Sequence, residues 1–163
     1  MTRVLIAGVG YRHLRDHSFG IAFVDSLAAD AWPAGVDVED LSYNPIAVVQ
    51  RLQDVTLGEP HELAIFAGAL PRAGRAPGSL AIYRWDRRLP APDRIHEAIV
   101  EAVTGIIALD NTLIIARHFE ALPETVVVVE IEPVAHECGA TMTPEVTAAL
   151  ARACHVTATL ARD

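Results

Sequence analysis

The sequence predicts one α/β domain, a three-layer sandwich in which a twisted, mostly parallel sheet of about five strands carries helices on both faces. Three observations predict it. Strand-like and helix-like segments follow one another in the order β-α-β-α-β-β-α-α-β-α along 163 residues, the pattern of a sheet wrapped by crossover helices. Several strand segments are unbroken apolar runs, as strands buried on both faces require. No repeat, low-complexity tract or linker divides the chain, so residues 1–163 read as a single domain.

The elements follow in order. Arg3–Ala7 (RVLIA) is a buried strand ended by Gly8-Val9-Gly10. After the polar stretch Tyr11–His17, a helix runs from about Phe19 to Ala29, with Ile21, Phe23, Val24 and Leu27 roughly on one face. Trp32-Pro33-Ala34-Gly35 is a turn, and Val36–Leu41 a second strand. Pro45 suits the first turn of a helix that reaches about Gln53. Glu62–Ala67 is a third, fully buried strand, and Pro71–Gly78 a loop. Ser79–Trp85 alternates, as an edge or half-exposed strand does. Asp93 is read as the N-cap of a helix through Val103, and Asp110 as the cap of another over Asn111–Glu120. The four valines of Thr125–Ile131 imply a central strand. Thr143 caps a last helix, with Pro144 as its first residue, ending near Leu160.

Composition narrows the chemistry. All 13 basic residues are arginine, which excludes a P-loop lysine, a Schiff-base lysine and a pyridoxal-phosphate anchor. A net charge of -8 with no basic cluster longer than Arg84–Arg88 argues against nucleic acid as a partner. No apolar run reaches the length of a membrane span, and Gly8 and Gly10 cut short the first apolar stretch, so neither membrane insertion nor a secretory leader is expected. Cys138 and Cys154 form no CxxC pair and fit a reduced, cytoplasmic setting.

Ligands of open α/β sheets bind beyond the carboxyl ends of the strands. The informative loops are therefore Gly8–Gly20, Leu41–Pro45 and Gly68–Gly78. Gly8-x-Gly10 lacks the third glycine of a dinucleotide fingerprint, since His13 stands there, and reads as a tight turn. In Tyr11–His17, two histidines four apart with Asp16 between them could hold a metal on a helix face. The same stretch, having no helical apolar period, reads equally as a solvated loop whose Arg12, Arg15 and Asp16 pair locally. His61, His96, His118, His136 and His155 are scattered and read as surface or capping residues. No Gly-x-Ser-x-Gly elbow is present, and Cys138 beside His136 reads as an ordinary loop thiol.

Several segments together resemble the [NiFe]-hydrogenase maturation proteases, the endopeptidases that trim the C-terminus of the hydrogenase large subunit after nickel insertion. The resemblance runs through Val4-Leu5-Ile6-Ala7-Gly8-Val9-Gly10, Leu14-Arg15-Asp16 with Phe19-Gly20, and Val38-Glu39-Asp40. It continues through Arg75-Ala76-Pro77-Gly78-Ser79-Leu80, Ala121-Leu122-Pro123 and Met142-Thr143-Pro144-Glu145-Val146. It implies a mixed sheet with helices on both sides and a cleft at the strand ends that reads nickel in the substrate. Around that cleft it implies Asp16, His17, Asp40, Tyr43, Asn44, Gly68, Asp110 and Asn111.

The departures fall on the chemistry. Where the family carries a first acidic metal ligand, this chain has His17. Where the family has an aspartate ending the third strand, it has Gly68. The family's histidine at the entry of the helix before Leu-Pro falls on Gly105 when counted back from Pro123, whereas counting forward from Gly78 lands nearer His96. The Gly-Gly-Thr after the second strand is replaced by Leu41-Ser42-Tyr43-Asn44, and the asparagine after Gly-x-Gly by Tyr11. The ligand candidates that remain are His17, Asp16 and His96, a thin set for a nickel site. No firmly bound cofactor is expected, only the nickel of a substrate.

Three functions stay open on the sequence. One is a peptidase-deficient assembly factor that binds the large-subunit precursor. Another is an active nickel-dependent endopeptidase with a rebuilt site. The third is an interaction domain outside hydrogenase biology, since a fold alone does not dictate function.

Overall fold

Five strands form one sheet in the order β2-β1-β3-β5-β4 in the computed structural model, which describes residues 2–163, the side chain of Thr56 apart. The strands are β1 (Val4–Gly8), β2 (Val36–Asp40), β3 (Leu63–Ala69), β4 (Leu80–Arg84) and β5 (Thr125–Ile131). β1, β2, β3 and β5 pair in parallel, and β4 closes one edge antiparallel to β5. The alternating pattern of β4 therefore does mark an edge. The valine strand β5 is interior, although the middle position belongs to β3.

The helices are α1 (Phe19–Ala28), α2 (Pro45–Leu57), α3 (Pro92–Val103), α4 (Leu109–His118) and α5 (Pro144–Arg162), with a single 3-10 turn at Arg15–Ser18 before α1. Alternation along the strands divides the core in two. Val4, Ile6, Ile65, Ala67, Val129 and Ile131 face α1 and α5, where Phe19 and Phe23 are fully buried. Leu5, Ala7, Ala64, Phe66, Val126 and Val128 face α2, α3 and α4. Each fully buried large apolar side chain contributes about 1.5–3 kcal/mol, so both helix layers are held by the sheet rather than by each other. No helix of the described residues is long and apolar enough to cross a membrane.

Two cap expectations are corrected. Ala91 caps α3 and Ala108 caps α4, while Asp93 and Asp110 are the second residues of their helices, within the first turn, where a carboxylate meets the positive end of the helix dipole without capping it. Thr143 does stand at the N-cap of α5, but its hydroxyl turns to Asp16 instead of the helix. α2 extends to Leu57, past the expected end near Gln53, because no glycine or proline intervenes before Gly58.

β1 connects through α1 to β2 on one side, and β3 pairs on the other. The C-terminal ends of β1 and β3 therefore frame the switch point at which such sheets bind ligands. α1 enters this crevice very closely. A Cβ on Gly20 would lie 2.4 Å from the Val9 carbonyl and 2.7 Å from that of Ala67.

Candidate functional site

The loop leaving β1 and the loop leaving β5 are knitted into one platform. Asp16, fully buried, is the principal tie. One carboxylate oxygen accepts from the backbone N–H of Val134 and of Ala135, both at 2.8 Å, and the other accepts from that of Thr143 at 2.7 Å. The Thr143 hydroxyl adds contacts at 3.0 and 3.1 Å. Burial pushes this carboxyl up, but the donors from Thr143, Ala135 and Val134 outweigh it and hold its pKa below the usual value. Asp16 is thus a structural anchor with both oxygens engaged, which corrects the local arginine pairing expected of it. Its neighbours pair elsewhere: Arg15 with Glu137, and Arg12 with Asp25 and Asp40.

Backbone bonds extend the platform. Gly139 N–H donates to the His13 carbonyl and Arg15 N–H to the Gly139 carbonyl, while Arg15 Nε donates to that of Thr141. His13 and Arg15 sit at φ of 66° and 43°, a region non-glycine residues seldom occupy. The strain is sustained by these bonds to the facing loop. Half-buried His17 and exposed His136 meet across the two loops, Nε2 to Nδ1 at 2.9 Å. Burial lowers the pKa of His17, the neighbouring His136 lowers it further, and Asp16 opposes both.

The loop leaving β2 closes the other side. Ser42 Oγ accepts from Gly10 N–H at 3.0 Å, and Asp40 accepts from Ser42 N–H at 3.0 Å. Asn44 caps α2, its Oδ1 accepting from Ile46 N–H, and its amide reaches the Ala102 carbonyl at the end of α3. Tyr43 is half-buried against the α2 face. Its hydroxyl pKa is raised, by burial first and then by the charge of Glu39.

The two glycines that the resemblance sets at ligand positions have structural reasons to be glycine. Gly68 lies on the α4 face of β3. A Cβ there would meet the Val9 carbonyl at 3.0 Å, Leu109 Cδ2 at 3.1 Å and Leu109 Cβ at 3.2 Å. Leu109, at the start of α4 and buried, therefore packs where a longer side chain at position 68 would have to pass. Gly105 has φ of +93° just beyond α3, the left-handed position that ends a helix and strains any residue with a Cβ. Tyr11 spans the crevice, its hydroxyl accepting from Ile107 N–H at 2.6 Å.

Beside Gly68 in register stands Glu130, a carboxylate buried in an otherwise apolar strand. Arg72 grips it in a two-pronged ion pair through Nε at 2.9 Å and Nη2 at 2.5 Å; Arg75 adds a bond at 2.6 Å and the Tyr83 hydroxyl one at 2.5 Å. Burial raises the Glu130 pKa, but Arg72, Tyr83 and Arg75 together bring it down to about 2. Arg72 also reaches Asp110 at 3.1 Å, and its backbone N–H donates to Glu132. This network pins the β3–β4 loop to the head of α4. An open cleft of about 390 Å³ runs alongside, lined by Arg72, Trp85, Arg94, Asp110 and Leu113 among others.

The expected site residues thus divide. Asp16, His17, Asp40, Tyr43, Asn44 and Gly68 belong to the loops and strand ends around the crevice. Asp110 joins the Arg72 network. Asn111 is buried between α3 and α4, accepting from Arg94 at 2.7 Å and donating to Glu101. His96 stands exposed on α3. Asp16, His17 and His96 do not come together: among the described residues, no group of three or more histidine, cysteine, aspartate or glutamate side chains is arranged to hold a metal ion. Sequence reading missed His136 as the partner of His17, and it missed the Glu130 network. A charge inside the valine run of β5 was the signal for the second.

No family model matches the chain, and no curated protein matches it in sequence. Solved structures do. It is 27% identical to the hydrogenase 2 maturation peptidase of a Thaumarchaeota archaeon, with a TM-score of 0.67 over 98% of this chain and 97% of that one. The hydrogenase maturating endopeptidase HybD of E. coli matches with a TM-score of 0.73 at 21% identity, over 99% of this chain and 93% of that one. The [NiFe] hydrogenase maturation protease HycI of Thermococcus kodakarensis matches with a TM-score of 0.68 at 15% identity, covering 99% and 94%. The resemblance carried by the sequence motifs is borne out along the whole chain, which has the fold of the hydrogenase maturation endopeptidases.

Proposed function

We propose that this chain acts in [NiFe]-hydrogenase maturation by binding the large-subunit precursor without cleaving it. The observation that carries this reading is the packing of Leu109 against Gly68. Where the resemblance calls for a metal-ligating carboxylate, the space is narrowed by a buried aliphatic side chain that any side chain at position 68 would have to displace. Gly105 and Tyr11 point the same way, since both make structure at positions where the family has polar site residues. A nickel-reading peptidase site needs several anchored N or O donors. The strand-end crevice offers His17 and His136 in their place.

The crevice remains suited to docking. Asp40 and Asn44 rim it, and Val103 and Ile106 are exposed at the α3–α4 turn beside Tyr11, where apolar side chains of a partner can be covered. Co-purification with a tagged large-subunit precursor tests the reading. Retention of this chain on the precursor supports it, and no association overturns it. A second reading, an active endopeptidase with a rebuilt site, draws on the same His17–His136 pair. It requires that the precursor emerge shortened at its C-terminus.

A further inference from the structure

We propose that the outer edge of β4 is a self-association surface. Two copies of this chain join their β4 strands antiparallel about a two-fold axis at Ile82, and Arg84 of each copy meets Glu145 of the other. Three observations carry it. The first is an open edge. β4 lies last in the sheet and pairs with β5 alone. Glu132 N–H donates to the Ser79 carbonyl, and Trp85 N–H donates to that of Val126. Alternation along the strand then turns the backbone N–H and C=O of Leu80, Ile82 and Arg84 away from the sheet. Such a row is a template for another strand.

The second observation is self-complementarity. With Ile82 on the axis, Leu80 of one copy stands opposite Arg84 of the other, and the outward backbone groups of all three residues find partners. Leu80 and Ile82 are half-buried against the α1–α5 core, and the same residues of the second copy cover their open flank. β4 has neither the proline nor the lysine that blunts edge strands. At the other edge, β2 reads Val36-Asp37-Val38-Glu39-Asp40, so two copies paired there would set carboxylate against carboxylate. The third is charge. Arg84 and Glu145 are exposed, and among the described residues neither has an ion pair within its own chain; Arg84 reaches only the Thr125 hydroxyl, at 3.4 Å. Arg84 pairs in register with Val127, on the face that carries α5. Glu145, the second residue of α5, stands over Gly78, where an added Cβ would lie 2.9 Å from its own. Gly78 precedes by two residues the Leu80 that faces the other copy's Arg84, about 6.6 Å along the strand. An extended arginine covers that span, and the two-fold axis makes the ion pair twice.

A five-residue edge makes a small interface, so monomer and dimer should exchange with concentration. The test is sedimentation of the full chain from micromolar to near-millimolar concentration. A reversible monomer–dimer equilibrium is expected. Arg84→Glu and Glu145→Arg should each weaken it at least about tenfold, because each substitution enters the dimer twice and turns attraction into repulsion. The double exchange should restore most of the affinity. A readout on the unaltered protein guards against misfolded variants. Amide exchange at Leu80, Ile82 and Arg84 should slow as concentration rises, while that at Ala81 and Tyr83, already in the ladder with β5, stays constant. A monomer at every concentration would overturn the proposal, as would a dimer indifferent to both charge reversals or one whose concentration-dependent protection lies elsewhere. Protection of the β4 edge that appears only when the large-subunit precursor is added would overturn it too, by giving the edge to a different occupant. Self-association is measured without the precursor, so its failure leaves the proposed function standing.

Discussion

Leu109 packs its side chain against the bare Cα of Gly68, closing the α4 side of the crevice at the end of β3. The two residues act as one unit, and a double-mutant cycle should expose this. Leu109→Ala is expected to cost about 2–5 kcal/mol through loss of burial and the cavity left behind. Gly68→Asp should cost more than about 3 kcal/mol, since it overpacks the site and sets a second buried carboxylate beside Glu130. In the double variant the aspartate gains room and water, so the two costs should fall short of their sum by about 0.5–3 kcal/mol. Urea denaturation of the four proteins measures it.

The Asp16 anchor makes a second prediction. Asp16→Asn places an amide NH2 among backbone donors and removes the charge that strengthens their bonds. A loss of about 2–4 kcal/mol is expected. Hydrogen exchange should accelerate at Val134, Ala135 and Thr143 before it does in β1 or β3, because the loop leaving β5 is held by this carboxylate. Equal acceleration across the sheet would mean that Asp16 supports the fold as a whole and not that loop.

Acid should find Glu130. Its folded pKa of about 2 lies below its ordinary value of 4.5, so the unfolded chain takes up the proton first as pH falls. The stabilisation is complete above the ordinary value and is lost progressively toward pH 2. Asp16, also lowered, adds to the same limb. Glu130→Gln should flatten the pH dependence of stability across that window and cost about 1–3 kcal/mol at neutral pH, less than breaking a fully buried pair costs because Arg72 and Arg75 reach solvent. A pH profile of urea midpoints for the two proteins decides it.

Tyr11→Phe removes one acceptor and little else. Ile107 N–H, which donates to the hydroxyl at 2.6 Å, loses its partner. A destabilisation of about 1–2 kcal/mol with faster exchange at Ile107 is expected.

The fold was legible because its signals are local and repeated. The apolar run of β3, the four valines of β5 and Pro144 after Thr143 each point to an element by themselves, and their order implies the sheet. Caps were less legible: Asp93 and Asp110 look like caps, but the prolyl start at Pro92 and the apolar start at Leu109 move the helix entry upstream. The site was half legible. His17 and Gly68 stood out against the family motifs, whereas His136 lies 119 residues from His17 and meets it only because Asp16 draws the two loops together. No spacing in the chain encodes that. Asp16 looked like a ligand because sequence shows a carboxylate, not the backbone donors that engage it.

Binding without cleavage is decided by the intact mass of a nickel-loaded large-subunit precursor after incubation with this chain, with a maturation endopeptidase cleaving the same precursor in parallel. The precursor should be bound and at full length while the parallel sample loses its C-terminal peptide. A precursor shortened by this chain at the same position would contradict it.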